Sequence, residues 1–170
     1  IRIGLTADGR LVLHQGATDI GQGANTVIVQ IAAEALGLPV SDFTFVGPDT
    51  SVTPDAGKTS ASRQTYVSGR AAEAAARALR LAILRLGNWG EGTRLALDGP
   101  AIRSASGAID LSRLPVGAHG YVLQAEETYD PPTAPLDADG QGTPYAVYGY
   151  GAQIVELNVD TRLGTVALVR

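Results

Sequence analysis

A long alanine-rich segment, residues 64–86, constrains the fold of this chain more than any other feature of the sequence. Alanine and leucine have high intrinsic helix propensities, and apolar residues recur in this segment at helical spacing. The predicted apolar stripe consists of Val67, Ala71, Ala74, Ala78, Ala82 and Leu86. Because most of these side chains are small, the predicted helix can pack closely against another element.

A second helix is predicted directly after residues 16–23, a glycine-rich stretch that we call the glycine loop. Apolar residues then recur at helical spacing until Gly37, a residue typical of a helix C-terminus: Val27, Ile28, Ile31, Ala32, Ala35 and Leu36. If the glycine loop is an ordinary strand-to-helix turn, Asn25 or Thr26 is expected to cap the helix.

Short apolar segments on both sides of the helices predict strands. Residues 1–5 and 11–13 flank Asp8-Gly9, a strong hairpin turn signal, and residues 43–46 alternate strong β formers. Further strands are expected at residues 95–97, 101–104, 121–129, 154–159 and 165–169, the last two forming a hairpin with its turn near residues 160–164. The sequence therefore predicts an α+β fold, a mixed sheet with hairpins at both ends packed against two main helices.

The chain is expected to form one partial domain over residues 1–170. Residues 1–87 hold the first hairpin, two candidate binding loops and the helices, residues 88–120 form an irregular insertion, and residues 121–170 form a β hairpin region. Both chain ends have strand-like sequences, so we expect a piece of a larger protein. No apolar run approaches the roughly 20 residues of a membrane-spanning helix.

Composition excludes several classes of function. The net charge is −4 and 18% of the residues are charged, which argues against nucleic-acid binding. The chain has no cysteine and two histidines, too few for the roughly four ligands of a structural zinc site. Glu126 and Glu127 are neighbours on a predicted strand and point to opposite faces, and His14 is interpreted as a strand side chain. No catalytic or metal-binding residue is therefore assigned.

Two loops that lead into helices are the candidate binding sites. Glycines before a helix let the backbone approach a ligand while free N–H groups attract an anion, and the amide of Gln22 can bind a polar heterocycle. The polar loop, residues 47–62, leads into the long helix with Thr59, Ser60, Ser62 and then Arg63, whose planar fork suits phosphate. The alternative in both places is an ordinary helix start, with Ser62 as the second N-cap.

Two other phosphate-binding patterns are weaker. A nucleotide P-loop around Lys58 is disfavoured because Val52 stands where that motif needs glycine. Arg63, Arg70 and Arg77 repeat every seven residues, and a solvated helix face is favoured there over an anion track.

Three segments resemble a known family. They are the Asp-Ile-Gly-Gln-Gly core of the glycine loop, the TSASRQTYVSG segment at residues 59–69, and residues 148–170 with the preceding GQGTPY at residues 140–145. In this order they resemble signatures of the molybdenum-cofactor-binding large subunit of xanthine dehydrogenase and aldehyde oxidase type hydroxylases. The resemblance spans nearly the whole chain.

The resemblance implies a molybdenum-pterin cofactor, in bacterial relatives often the cytosine dinucleotide form, and hydroxylation of an aldehyde or N-heterocycle with oxygen derived from water. Gly21, Gln22 and Gly23, followed by Ala24, match the family's pterin-contacting loop. The second cofactor loop matches Thr59, Ser60, Ala61, Ser62, Arg63 and Gln64. The alternative class of function is a non-catalytic α+β domain that binds a phosphate-bearing ligand or nucleotide.

The family's catalytic glutamate and its substrate pocket have no counterpart among these residues, so the isolated chain is expected to be inactive and to lack cofactor. The expected partners are the remainder of the large subunit and iron-sulfur and flavin subunits or domains. Dimerisation through exposed strand edges is also expected. We expect a cytoplasmic protein, with the periplasm as the alternative.

Overall fold

The fold comes from a computed structural model that describes residues 1–148 and 151–169. Gly149, Tyr150 and Arg170, which belong to the predicted C-terminal region, lie outside the described residues. The helices are α1 (Ala24–Leu36) and α2 (Gln64–Gly87). The strands are β1 (Arg2–Leu5), β2 (Leu11–His14), β3 (Phe43–Val46), β4 (Ala96–Asp98), β5 (Ala101–Ser104), β6 (Gly107–Asp110), β7 (Leu123–Glu126), β8 (Leu157–Asp160) and β9 (Thr165–Leu168).

The main sheet has four strands in the order β3-β2-β1-β7. Strands β1 and β2 form the predicted hairpin, whose turn uses Gly9 with a φ of 85°. Strand β3 pairs with β2 in parallel, because α1 carries the chain back across the sheet, and β7 pairs antiparallel with β1. The predicted α+β fold with a mixed sheet and two helices is confirmed.

One face of the main sheet forms the core together with the two helices. Ile3 lies opposite Leu13 and Leu5 opposite Leu11, and all four side chains are fully buried. Neighbouring residues on each strand point to the other face, since side chains alternate along a strand. The α1 and α2 helices pack on the apolar face and exclude water from it.

The buried face of α2 differs from the predicted stripe. The helix is confirmed, but its fully buried residues include Ala72, Ala75, Leu79 and Ile83, whereas Leu86 is 46% exposed. The first two residues of the predicted stripe, Val67 and Ala71, are buried, but the stripe was wrong beyond them because it left out Leu79 and Ile83. The larger Leu79 and Ile83 side chains bury more apolar surface, and they determine which side of the helix faces the sheet.

The two helices lie close together and run in the same direction. A Cβ atom on Gly69 would lie 2.9 Å from the Ile31 side chain, so the absence of a side chain at Gly69 permits the approach near the helix starts. At the other end of α1, Arg80 donates a hydrogen bond of 2.8 Å to the carbonyl of Leu36. Both helix N-termini therefore lie at the same end of the sheet.

Residues 88–120 contain more regular structure than the sequence predicts. Strands β4, β5 and β6 form a three-stranded antiparallel sheet. Ile102 on β5 and the following Leu111 are fully buried, which anchors this sheet on the core. Strands β4 and β5 correspond to the strands predicted at residues 95–97 and 101–104, whereas the description of residues 88–120 as an irregular insertion does not hold for this sheet. Strand β6 was missed because its sequence, GAID, contains a single strong β former.

The C-terminal hairpin is formed by β8 and β9, as predicted, with its turn at residues 161–164. Every described residue from 151 to 169 is exposed, so this hairpin lies outside the core. The predicted strand at residues 121–129 is shorter than expected and pairs with β1 as β7. Among the described residues, no helix combines the length and the apolar character needed to span a membrane.

We expect the Leu79→Ala substitution to lower the free energy of unfolding by about 2–5 kcal/mol, because it opens a cavity where the side chain is fully buried. Leu81→Ala on the same helix is the matched control, since Leu81 is 41% exposed and should cost less than about 1 kcal/mol. Urea unfolding followed by circular dichroism measures both. Equal losses in the two variants would contradict this assignment of the core face.

Candidate functional site

The glycine loop connects β2 to α1 through backbone conformations that favour glycine. Gly21 has a φ of 103° and Gly23, the residue that caps α1, a φ of 80°. Apart from their chain neighbours, no atom of the described residues lies within 4 Å of the position that a Cβ would take on either glycine, so this side of the loop is open. Asn25 and Thr26, the alternative caps predicted from the sequence, lie inside the helix.

The carboxylate of Asp19 accepts three backbone hydrogen bonds from this loop and the first turn of α1. One oxygen accepts hydrogen bonds from the N–H groups of Gly21 at 2.8 Å and Gly23 at 3.3 Å, and the other from Asn25 at 3.0 Å. The bonds from Asn25 and then Gly21 hold the pKa of Asp19 below its ordinary value. These three N–H groups are therefore occupied, so the expectation of free N–H groups for an external anion does not hold for Gly21, Gly23 and Asn25.

The side-chain amide of Gln22 uses its oxygen for a hydrogen bond within the glycine loop and leaves its nitrogen available for a ligand. Its Oε1 accepts a hydrogen bond of 2.7 Å from the backbone N–H of Ile20, which fixes the orientation of the amide. Within the part of the chain that the structure describes, the Nε2 group of Gln22 has no protein partner. The neighbouring Ile20 side chain is 73% exposed, so the loop presents an amide donor beside an apolar surface.

The start of α2 has no side-chain cap. Arg63 caps α2 without a side-chain hydrogen bond, and Ser62, the N-cap of the alternative interpretation, does not fill that role. Ala61 and Ser62 have φ values of 55° and 54°, whereas an N-cap residue is normally extended. The first-turn N–H groups of α2 have no partner within the helix and remain available to an anion.

Arg63 and Gln64 hold the polar loop in place. The Nη1 group of Arg63 donates to the carbonyls of Ala56 at 3.2 Å and Lys58 at 3.1 Å. The Nε2 group of Gln64 donates to the same Lys58 carbonyl at 3.2 Å and to Thr59 at 3.3 Å. One arm of the Arg63 guanidinium is therefore committed to the protein backbone, while its positive charge stays beside the helix start.

Arg70 and Arg77 do not continue this positive charge along α2. Both form ion pairs with Glu73, at 3.0 Å and 2.9 Å, on the exposed side of the helix. The favoured interpretation of this face as solvated, and not as an anion track, is confirmed.

The glycine loop and the polar loop meet. The hydroxyl of Thr59 donates a hydrogen bond of 2.8 Å to the carbonyl of Thr18. Gly16 lies so close to the polar loop that a Cβ there would be 2.0 Å from the Pro54 carbonyl oxygen. This contact excludes any larger residue at position 16 unless the loops separate.

Where the loops meet, they enclose a cavity of about 370 Å³ that we call the loop cavity. It is lined by Ile20, Gln22, Thr59, Ser60, Ala61, Ser62, Arg63, Gln64 and Thr65. No carboxylate is among these lining residues. The structure therefore brings together Gln22 and all six of the predicted residues 59–64, whereas Gly21, Gly23 and Ala24 shape the loop without lining the cavity.

Sequence reasoning assigned no role to two contributors to this site, Asp19 and Ile20, and it included a third, Thr65, only as the last residue of the second candidate segment. Asp19 precedes Gly21 by two positions, a spacing at which an aspartate commonly accepts a backbone hydrogen bond, so it could have been found. Thr65 continues the hydroxyl-rich segment. Ile20 gave no signal, because only the tertiary structure shows an isoleucine exposed at the edge of a polar cavity.

The remaining titratable candidates behave as the sequence predicts. His14 is a strand side chain, 92% of it shielded, and its Nε2 forms a hydrogen bond of 2.5 Å with the hydroxyl of Tyr121. Burial, and then the charge of Arg2, lower the pKa of His14. Glu126 forms an ion pair with Arg2 at 2.6 Å. In the described ranges, no group of three or more histidine, aspartate or glutamate side chains is arranged to hold a metal ion.

The acid sensitivity of the glycine loop tests the role of Asp19. Because the folded-state pKa is lowered from 3.8, the carboxylate stabilises the loop above pH 3.8, and this contribution disappears as the pH falls through the folded value. We expect Asp19→Asn to lower Tm at pH 7 and the difference from the unaltered chain to shrink below pH 3.8. Calorimetry over a pH series measures both, with the exposed Asp139→Asn as control. A difference that does not depend on pH would exclude this role.

Comparison with curated proteins shows relatives that are much longer than this chain. The putative xanthine dehydrogenase molybdenum-binding subunit of Escherichia coli is 44% identical over 84 residues, covering 49% of this chain and 11% of that protein. The probable hypoxanthine oxidase of the same organism is 32% identical over 171 residues, covering 98% of this chain and 17% of that protein. The chain thus spans less than one fifth of the length of these two relatives.

The solved structures that match this chain also come from much longer chains. The aldehyde oxidoreductase from Desulfovibrio desulfuricans matches 98% of this chain and 17% of its own, with a TM-score of 0.62 and 27% identity. A crystal structure of the Cu,Mo-CO dehydrogenase matches 77% of this chain with a TM-score of 0.56 and 26% identity. Residues 1–170 match the family described as the molybdopterin cofactor-binding domain. The chain therefore belongs to the molybdopterin cofactor-binding domain family.

Proposed function

We propose that the loop cavity binds a phosphate-bearing part of the molybdenum-pterin cofactor. The observation that carries this proposal is the convergence of the open α2 N-terminus with the free amide of Gln22 in one cavity that no carboxylate lines. A helix N-terminus with unpaired N–H groups favours negatively charged ligands, and phosphate is the group most often found there.

The side chains around the cavity fit such a ligand. The hydroxyls of Ser60, Ser62 and Thr65 line the cavity, and none of them has a hydrogen-bond partner in the described part of the chain. Arg63 adds a positive charge at the same place. The volume of about 370 Å³ lies at the lower end of the range for ligand sites, so the cavity suits a portion of a dinucleotide cofactor.

Each loop contributes a different kind of contact in this proposal. The α2 start and its hydroxyls hold phosphate oxygens, whereas Gln22 donates from Nε2 to an acceptor on the cofactor. When bound, the molybdenum-pterin cofactor supplies the redox chemistry of enzymes of this family. This chain's own residues bind and orient it, and the cytosine dinucleotide form, which carries a pyrophosphate, is the form that we propose.

We further propose that the chain is one part of a longer polypeptide, the large subunit of an enzyme that hydroxylates an aldehyde or an N-heterocycle. The support is its match to 17% of a probable hypoxanthine oxidase and 17% of an aldehyde oxidoreductase. In that setting its partners are the remainder of the subunit together with iron-sulfur and flavin components, and the isolated chain is inactive.

The alternative, a non-catalytic phosphate- or nucleotide-binding domain, is less well supported, because the family match covers residues 1–170. A cytoplasmic location, or else a periplasmic one, completes the proposal and is testable by cell fractionation.

Ligand binding by the isolated chain tests the loop cavity. We expect cytidine diphosphate and inorganic pyrophosphate to bind and to shift the backbone amide resonances of residues 62–66. Gln22→Glu keeps the oxygen that accepts from Ile20 but places a negative charge in the cavity, so the affinity should fall by about tenfold or more.

Gln141→Glu is the matched control, because it makes the same change of charge in an exposed loop. It should leave the affinity unchanged when both variants are titrated with the same probes by isothermal calorimetry. Failure of the unaltered chain to bind either probe, or equal binding by Gln22→Glu, would reject the proposal. Tighter binding of guanosine diphosphate than of cytidine diphosphate would reject only the cytosine form.

We also propose that the isolated chain self-associates through the exposed β8–β9 hairpin. Leu157 pairs with Leu168 and Val159 with Val166, so one face of the hairpin is aliphatic, and all four residues are at least 48% exposed. A lone two-stranded hairpin is marginally stable in water, and burial of this face would stabilise it. Sedimentation should show a concentration-dependent dimer that Val159→Lys disrupts and Asn158→Lys, on the opposite face, does not. A monomer at all concentrations would contradict this expectation.

A further inference from the structure

Gln15 is a fully buried polar residue directly beneath the glycine loop. It follows β2, and its backbone N–H donates a hydrogen bond of 3.1 Å to the carbonyl of Val46, which extends the pairing of β2 with β3. Its side chain has no exposed surface. Polar side chains this deeply buried normally have all their groups paired, so the contacts of this amide call for an explanation.

The Nε2 group of Gln15 joins the two ends of the glycine loop. It donates to the carbonyl of Ala17 at 3.4 Å and to the Oδ1 atom of Asn25 at 3.3 Å. Ala17 lies at the start of the loop and Asn25 in the first turn of α1. Because a backbone carbonyl can only accept, the Ala17 contact fixes which end of the amide faces the loop.

Asn25 is thereby held on two sides. Its backbone N–H donates to Asp19 and its side chain accepts from Gln15. Asp19 also accepts from Gly21 and Gly23, the two residues that flank Gln22. One continuous hydrogen-bond network therefore runs from Gln15 to the backbone on both sides of Gln22.

The Oε1 atom of Gln15 is buried and has no hydrogen-bond partner among residues 1–148 and 151–169. Leaving a buried acceptor unpaired destabilises the folded state, and an apolar side chain of similar length would avoid this cost. The unpaired oxygen is therefore not what glutamine contributes at this position. Its contribution lies in the two bonds from Nε2, which connect the start of the glycine loop to the first turn of α1 across the loop.

We propose that Gln15 is a positioning residue for the loop cavity: its buried amide closes the glycine loop end to end and so fixes the direction in which Gln22 presents its free Nε2. This inference rests on the proposed cofactor-binding role of the loop cavity. Gln15 contacts no ligand, and it lines none of the cavity. It acts through Asn25 and Ala17.

The test compares stability with loop order in the 170-residue chain. Gln15→Met keeps the length of the side chain and removes both hydrogen bonds and the unpaired oxygen. We expect urea unfolding to show equal or higher stability, while amide hydrogen exchange of Gly21, Gly23 and Asn25 becomes about tenfold faster or more. Affinity for cytidine diphosphate should fall by about tenfold. Leu36→Met, a substitution of a fully buried residue at the far end of α1, should change neither the exchange nor the affinity.

A second variant keeps the test decisive if Gln15→Met is poorly folded. Asn25→Ala removes the other partner of the same hydrogen bond and should produce the same faster exchange at Gly21 and Gly23. Unchanged amide exchange in both variants would overturn the proposal. It would also be overturned if affinity fell only in proportion to a loss of global stability measured by urea unfolding. If the unaltered chain binds no cytidine diphosphate, the proposed function fails, but the exchange measurement still decides whether Gln15 orders the loop.

Discussion

The close parallel packing of α1 and α2 is the constraint on which the rest of the structure depends. Gly69 lets α2 approach Ile31 on α1, and the alanines of α2 keep the helices close to the sheet. Since the helices run in the same direction, their N-termini lie at the same end of the sheet and the loops that precede them must meet. The loop cavity is a consequence of how two helices pack.

Both helix N-termini favour negative charge, but the protein uses this property differently at α1 and at α2. At α1 the carboxylate of Asp19 accepts from the N–H groups of Gly21, Gly23 and Asn25, which orders the glycine loop before any ligand arrives. At α2 no side chain caps the helix, and the residues before it, Ala61 and Ser62, have left-handed conformations that keep the Ser62 hydroxyl from capping. One start therefore supplies rigidity, whereas the other remains available for binding an anionic ligand.

Rigidity around Gln22 comes from contacts within and between the two loops. Thr59 ties the polar loop to the carbonyl of Thr18, and Gly16 allows the close contact with Pro54. The side chains of Arg63 and Gln64 donate hydrogen bonds to backbone carbonyls of the polar loop and so hold it in place. A site whose supporting contacts are formed in advance loses less conformational entropy when it binds a ligand, which is why such contacts favour affinity.

The sequence by itself determined the two helices, the first and last hairpins, and the segments that line the site, because helical spacing, Asp-Gly turns and the residues before each helix are local signals. It predicted Gln22 and residues 59–64, which the structure brings to one cavity. Only the tertiary structure decided which face of α2 is buried, that Asp19 occupies the first helix start, and that residues 96–110 form a sheet. These features depend on contacts between residues far apart in the chain or on competition between nearby donors and acceptors, and neither is encoded in local periodicity.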